Sequence, residues 1–393
     1  MSDVNLADAE VVDDHVHPYR VADLVARDPG GFEARCTFLG TCFMSSSRSD
    51  PKTWARVEEL SDSSIFALTL RRWLAGYLGC EPTKEAVAAA RAEALRADAV
   101  GYTTGLLADE HVVGVLSDEG YPQPPIPAEE FEKDLGVAVH RVARLEPWIV
   151  EHREEPFDDL VSAVEEEVEK AAGDPRCVAF KSIIAYRTGL DVGDPAPGEA
   201  ADAHARWRRD GWRESREHAK PVRDFLLRRT MAAAKRNDRP VHIHCGGGDA
   251  DIQLGHARPQ DLFPLLVDHA HQPIVLIHGG DPWVPEAGYV ASVLPNVYLD
   301  LSALIPWAWS WIDWVLETLI GMVPTTKLLY GSDEASEPEV FWVGARIARK
   351  ALDRTLAGMV DRDLLTPDEA EKVGRDVLAG NTQRLHGISA APS

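Results

Sequence analysis

Short apolar runs recur along this chain, and the stretches between them carry apolar positions at helical spacing. The runs fall at 10–16, Val112–Leu116, Val137–Val142, Cys177–Ile183, 240–245, 273–278, Val297–Leu301 and 327–332. Runs of this length, bounded by turn residues and alternating with amphipathic segments, predict strands in an α/β fold. Between the first two runs, about 20–105 reads as helical: apolar residues of Thr53–Leu78 recur near helical spacing, and Lys84–Arg96 is rich in alanine. An acidic helix is expected over 157–173 and a basic one around 213–236, with helices after each of the last four strands. A polar excursion after the fourth strand carries turn signals at Gly193-Asp194-Pro195 and Pro197-Gly198.

Eight strands with interleaved helices predict a (β/α)8 TIM barrel. Such a barrel needs about 250 residues, so the surplus of this 393-residue chain fits a helical insertion after strand one and a C-terminal helical extension. The expected organisation is one domain, 1–393, with the insertion at about 20–105. An open doubly wound sheet would place a glycine-rich phosphate turn after strand one; His15-Val16-His17-Pro18 stands there instead.

The strand ends keep delivering metal-ligand types. His15 and His17, two apart on a strand, point to one face, and converging imidazoles suit a divalent cation. His242 and His244 share a face of strand five; His244, nearer the rim, is the expected ligand, and the deeper His242 a supporting or core residue. His278 ends strand six, placed to bind metal or act on substrate. Asp333 ends strand eight, where a carboxylate can bind metal and carry a proton; the competing reading is a helix N-cap, a role Ser336 could fill equally well. Lys181, inside the apolar fourth run, is costly to bury unpaired. It could anchor a substrate carboxylate, bridge two metals after carboxylation, or lie with its stem packed and its head in water. His269 and His271 fall at the opposite rim and are read as structural.

For substrate, Tyr186 and Arg187 lie just beyond strand four, and a guanidinium can hold a carboxylate bidentately; a surface salt bridge is the alternative for Arg187. Trp307, Trp309, Trp311 and Trp314 follow strand seven. Trp309 is a candidate pocket wall, while Trp311 and Trp314 are expected to pack the insertion or cover a subunit interface of a homo-oligomer.

Charge removes some function classes. Lys+Arg is 41 against Asp+Glu 64, a net charge of −23, the opposite of a nucleic-acid footprint. No stretch approaches the ~18 apolar residues of a membrane span. Five cysteines without Cys-x-x-Cys spacing, and an N-terminus without a basic-then-apolar leader, lead us to expect a reduced, cytoplasmic protein acting on a small molecule.

The strand-end set His15, His17, His244, His278 and Asp333 resembles that of the amidohydrolase superfamily. A closer resemblance, to its branch of nodulin-like proteins and domains fused to glutamine-synthetase-like modules, is carried by Leu74-Ala75 through Gly79-Cys80, Phe180 through Leu190, Glu286-Ala287-Gly288-Tyr289 and Tyr330-Gly331-Ser332-Asp333. The likeness runs from about 10 to 387. It implies one or two divalent metals, most simply zinc, with iron or manganese as alternatives, held by His15, His17, Lys181, His244, His278 and Asp333. It also implies hydrolysis of an amide-type or C–N bond by a metal-bound hydroxide, with Asp333 and His278 as the catalytic residues. Decarboxylases, other lyases and an iron-dependent oxygenase are the alternatives on the same site. At strand six the branch often reads His-Ala-Ser-Tyr-Pro, whereas here it is His278-Gly279-Gly280-Asp281-Pro282, so the reaction need not match a relative's.

Overall fold

A computed structural model describes residues 4–45 and 50–388. Eight parallel strands follow one another around a single sheet in chain order: β1 Val11–Val16, β2 Val112–Asp118, β3 Ala138–Arg144, β4 Cys177–Ser182, β5 Val241–His244, β6 Ile274–Ile277, β7 Val297–Asp300 and β8 Leu328–Leu329. The sheet closes where β1 meets the chain just past β8. Asp14 N–H donates to the Tyr330 carbonyl (2.9 Å), Asp333 N–H to that of His15 (2.9 Å) and His17 N–H to that of Glu334 (2.7 Å). The expected TIM barrel is therefore the fold. β8 is shorter than the apolar run 327–332 because its last residues spend their backbone groups on this irregular seam.

Strands of a closed barrel are covered on both faces, which is why they read as continuous apolar runs rather than alternating ones. Val12, Leu116 and Val178 pack inside the barrel with Ala379, and Val275, Ile277 and Leu329 with Leu385. The chain beyond residue 376 thus plugs the N-terminal mouth. Asn381 anchors the plug by donating its Nδ2 to the Leu328 carbonyl at 2.8 Å.

Three of the longer helices escape the sequence pattern. Ala128–Leu135 and Leu145–His152 are each only eight residues, too short for periodicity to stand out. The predicted turn at Pro197-Gly198 is instead the first turn of helix Pro197–Arg209, where Glu199 accepts from the Ala196 N–H at 2.8 Å. Proline at the first helical position gives up an N–H that has no helical partner anyway.

The segment between β1 and β2 is helical, and its last helix, Lys84–Asp109, leads into β2 as the crossover of the first βα unit. A buried ion network ties it down. Arg91, 2% exposed, meets Glu337 and Glu339, both fully buried, and Tyr102 Oη donates to Glu339. Arg35 and Arg27 also pair with Glu337. Because Glu337 lies four residues past Asp333, this network fixes the insertion against the rim. It sets Phe38, Thr41 and Cys42 into the wall of the rim cavity.

Candidate metal centre

On a regular strand neighbouring side chains point to opposite faces. The β1–β2 register slips between Asp13 and Val16, and such an irregularity re-aims side chains locally. Here His15 faces the rim while Asp14, its neighbour, faces a deeper pair of histidines. His15 Nε2 lies 3.4 Å from Asp333 Oδ1, and His17 Nε2 lies 3.9 Å from the same oxygen. The His15 ring is 5.5 Å from that of His278, and His278 is 4.5 Å from His244. Lys181 Nζ donates to His15 Nε2 at 3.5 Å. All six residues line one cavity of about 230 Å³, and His15, His278 and Asp333 offer ligand atoms within 4.8 Å of one another.

Non-glycine residues at three consecutive strand ends are held in left-handed backbone: His278 (φ 72), Ala303 (φ 59) and Asp333 (φ 64). Such conformations cost about 1–3 kcal/mol each and persist where the surroundings over-determine them. At β6 and β8 the turn swings the terminal side chain inward over the barrel mouth.

Supporting groups set the tautomers. Ser302 Oγ spends its single proton on Asp300, so it must accept from His278 Nδ1 (2.9 Å), leaving the Nε2 lone pair of His278 free. His17 Nδ1 donates to the Asp118 carbonyl at 3.3 Å. Burial is the largest influence holding His15, His244 and His278 well below the usual histidine value, and Lys181 adds to it at each. Burial likewise brings His17 down to about 4 and the Lys181 ammonium down to about 8. Burial pushes the Asp333 carboxyl well above its usual range, with Lys181 opposing. At Asp118 burial pushes up as well, but Arg144, then His17 and Lys181, outweigh it and hold the carboxylate ionised.

Neutral imidazoles are what a divalent cation requires. His244 Nε2 is buried without a hydrogen-bond partner among the described residues, and outer partners already orient His17 and His278, the usual accompaniment of histidine ligation. The donor set fits a divalent cation.

Tyr186 packs against His244 with its ring tilted (4.6 Å between centroids), and its hydroxyl accepts from the Asp249 N–H. Arg187 is half-buried in the same wall, with no hydrogen-bond or ion-pair partner among the described residues. Trp309 lies elsewhere. It packs on Phe66 and Trp73 of the insertion, and Trp307 is the indole that reaches the cavity. Trp311 and Trp314 stack on each other at 5.1 Å and remain partly exposed. Sequence reasoning missed Asp118, Arg144 and Ser302. The salt-bridged Asp118–Arg144 pair closes one side of the site from the ends of β2 and β3, and the polar residues ending those strands were its only trace.

Fold and site together define a (β/α)8 barrel with histidines and an aspartate gathered at its C-terminal rim. Residues 181–388 match the family model described as Amidohydrolase, and the chain belongs to that family. A curated relative, Protein fluG of Emericella nidulans, is 34% identical over 238 residues, which is 57% of this chain and 27% of that protein. This chain therefore spans about a quarter of its length. A protein from Lactobacillus casei assigned as a metal-dependent hydrolase shares the fold at a TM-score of 0.80 and 23% identity, over 98% of each chain. The uronate isomerase of Thermotoga maritima shares it at 0.69 and 16%, over 97% of this chain and 95% of that one. Proteins of this superfamily typically bind divalent metals. Among the described residues no helix is long and apolar enough to cross a membrane.

Proposed function

We propose that this protein is a metal-dependent hydrolase that cleaves an amide-type or C–N bond in a small, carboxylate-bearing molecule, with residues 1–393 acting as a single domain. The observation that carries the reading is the convergence of His15, His17, His244, His278, Lys181 and Asp333 on one cavity. In this reading those six hold one or two divalent ions, with zinc suiting the nitrogen-rich donor set and iron or manganese as alternatives. The cation would activate water at neutral pH and polarise the substrate carbonyl.

The remaining work falls to the protein. Asp333 accepts a proton from the attacking water and returns it to the leaving nitrogen, a role helped by the upward push of burial on its carboxyl. His278, its Nδ1–H committed to Ser302, presents only a lone pair to the centre and would serve there as a metal ligand, its ring held in place by Ser302. Lys181 offers an amine that burial has brought within reach of neutrality. Arg187 holds the substrate carboxylate. An unpartnered, half-buried guanidinium in a chain of net charge −23 supports an anionic ligand. Tyr186 and the apolar faces of Phe38 and Trp307 enclose the rest.

The test is elemental analysis of purified protein, followed by a screen of N-acyl and amide-bearing carboxylic acids in ¹⁸O-labelled water. Label in the product acid at one atom per turnover is expected. Product formed without label, with release of carbon dioxide or consumption of dioxygen, would replace hydrolysis by a decarboxylase, lyase or iron-dependent oxygenase reading. Absence of any transition metal, with no activity on reconstitution, would remove the metal-enzyme reading altogether.

A further inference from the structure

Below the rim lies a second cluster that the proposed reaction does not use. Asp14 of β1, His242 of β5 and His386 of helix Asn381–His386 are all buried, with ligand atoms within 4.8 Å of one another. His242 Nε2 is 2.9 Å from His386 Nε2, and Asp14 Oδ1 is 3.7 Å from His386 Nδ1. Among the described residues no hydrogen bond of ordinary geometry reaches either carboxylate oxygen of Asp14, nor His242 Nδ1 or Thr382 Oγ1, although the Thr382 hydroxyl lies near enough to Asp14 to favour its ionised form.

The tautomer of His386 follows from its neighbour. A carbonyl only accepts, so His386 Nδ1 donates to Thr382 O at 2.9 Å, which leaves a lone pair on Nε2 aimed at His242. Facing nitrogens at 2.9 Å need either a proton or a cation between them. A proton from His242 satisfies that pair alone and leaves Asp14, buried beside Asp13 and Asp300, with only the Thr382 hydroxyl and the Lys181 charge to offset its burial. Stranding a buried carboxylate costs several kcal/mol, and native structures rarely leave buried polar groups unmatched. A cation at the convergence answers the two nitrogens and the carboxylate together. Two imidazoles and one carboxylate are a donor set for a divalent transition metal such as zinc.

We infer that Asp14, His242 and His386 form a second, closed metal site in the floor of the barrel, separate from the rim centre and structural in role. It cross-links the C-terminal plug to β1, directly beneath the strand end that carries His15 and His17. The three ligands come from residues 14, 242 and 386, so the site exists only once the barrel has closed and the plug has docked.

The experiment is anomalous diffraction at the zinc edge from crystals of the full chain grown with zinc. A peak between Asp14, His242 and His386, additional to any peak at the rim, is expected. In solution, His386→Gln should lower bound zinc by one equivalent. A His15→Asn/His17→Asn double variant should keep the floor peak while losing density at the rim, so failure of the rim reading and failure of this one are distinguishable. The wild-type map does not depend on any variant folding. Zinc-saturated wild-type crystals with no anomalous density on the floor, or with a water there, would overturn the site, as would an unchanged zinc count in His386→Gln.

Discussion

Replacing Arg91 by methionine keeps most of the side chain's volume and deletes its charge. The guanidinium meets Glu337 and Glu339 in a setting with almost no solvent, and among the described residues the other hydrogen bond to the Glu339 side chain comes from the Tyr102 hydroxyl. Removing one partner of a buried ion pair costs about 3–5 kcal/mol, because the other charge stays buried without compensation. At ~2.1 cal/mol/K of unfolding entropy per residue, a 393-residue chain has about 0.8 kcal/mol/K, so the melting temperature should fall by ~4–6 °C. The deficit should also depend on pH. A stranded carboxylate is relieved by taking up a proton, so the gap between variant and wild type should be widest near pH 8 and narrow toward about pH 5. Thermal melts followed by circular dichroism at both pH values give the comparison. A loss below ~1 kcal/mol, or one of equal size at both pH values, would mean that Arg91 contributes only the packing of its stem and that the network does not anchor the insertion.

The same network sets an acid limit on the wild type. Burial pushes Glu337 up, but Arg91, Arg35 and Arg27 together hold it below its ordinary 4.5; its contribution is therefore complete above about 4.5 and is lost as the pH falls through the lower folded value, which acid titration of stability would register. Ser302→Ala removes the acceptor that orients His278 and should weaken metal binding by about 10–100-fold, measured by chelator competition; unchanged affinity would mean His278 is not a ligand. Asp333→Asn keeps the size but cannot take up a proton, so turnover should fall at least ~100-fold with the fold intact; near-normal turnover would move the proton carrier elsewhere. Lys181→Met should reduce both metal content and turnover, and no change in either would make Lys181 a packing residue.

The barrel was legible because its strands are buried on both faces and each leaves a continuous apolar run, and because so many of those runs end in His or Asp. What stayed hidden depends on register and distance. Asp118 and Arg144 pair across neighbouring strands whose alignment local sequence does not encode. Ser302 matters only through Asp300 and His278, 24 residues away from the latter. The partner of His242 is His386, 144 residues on, in a short helix whose docking inside the barrel mouth no periodicity announces. The tryptophan segment illustrates a finer limit: one turn of chain decides whether Trp307 or Trp309 faces the cavity, and aromatic count is blind to that choice.

The seam between β1 and the chain past β8 has a practical consequence. Its hydrogen bonds join residues as much as 319 positions apart, as where Ser332 N–H donates to Asp13 Oδ1. Until β1 and the residues past β8 are both present, the sheet has two open edges, each a row of unpaired N–H and C=O groups ready to recruit another chain. The stretch 181–388 begins inside β4, so expressed alone it would carry both an exposed edge at β5 and a β8 with nothing to close against. Such a fragment should aggregate rather than fold, and a ribosome-bound chain is in the same condition until the residues that follow β8 emerge. Closure is therefore a late event, and shortened versions of this protein should be cut at surface loops of the insertion rather than through β1 or the segment past β8.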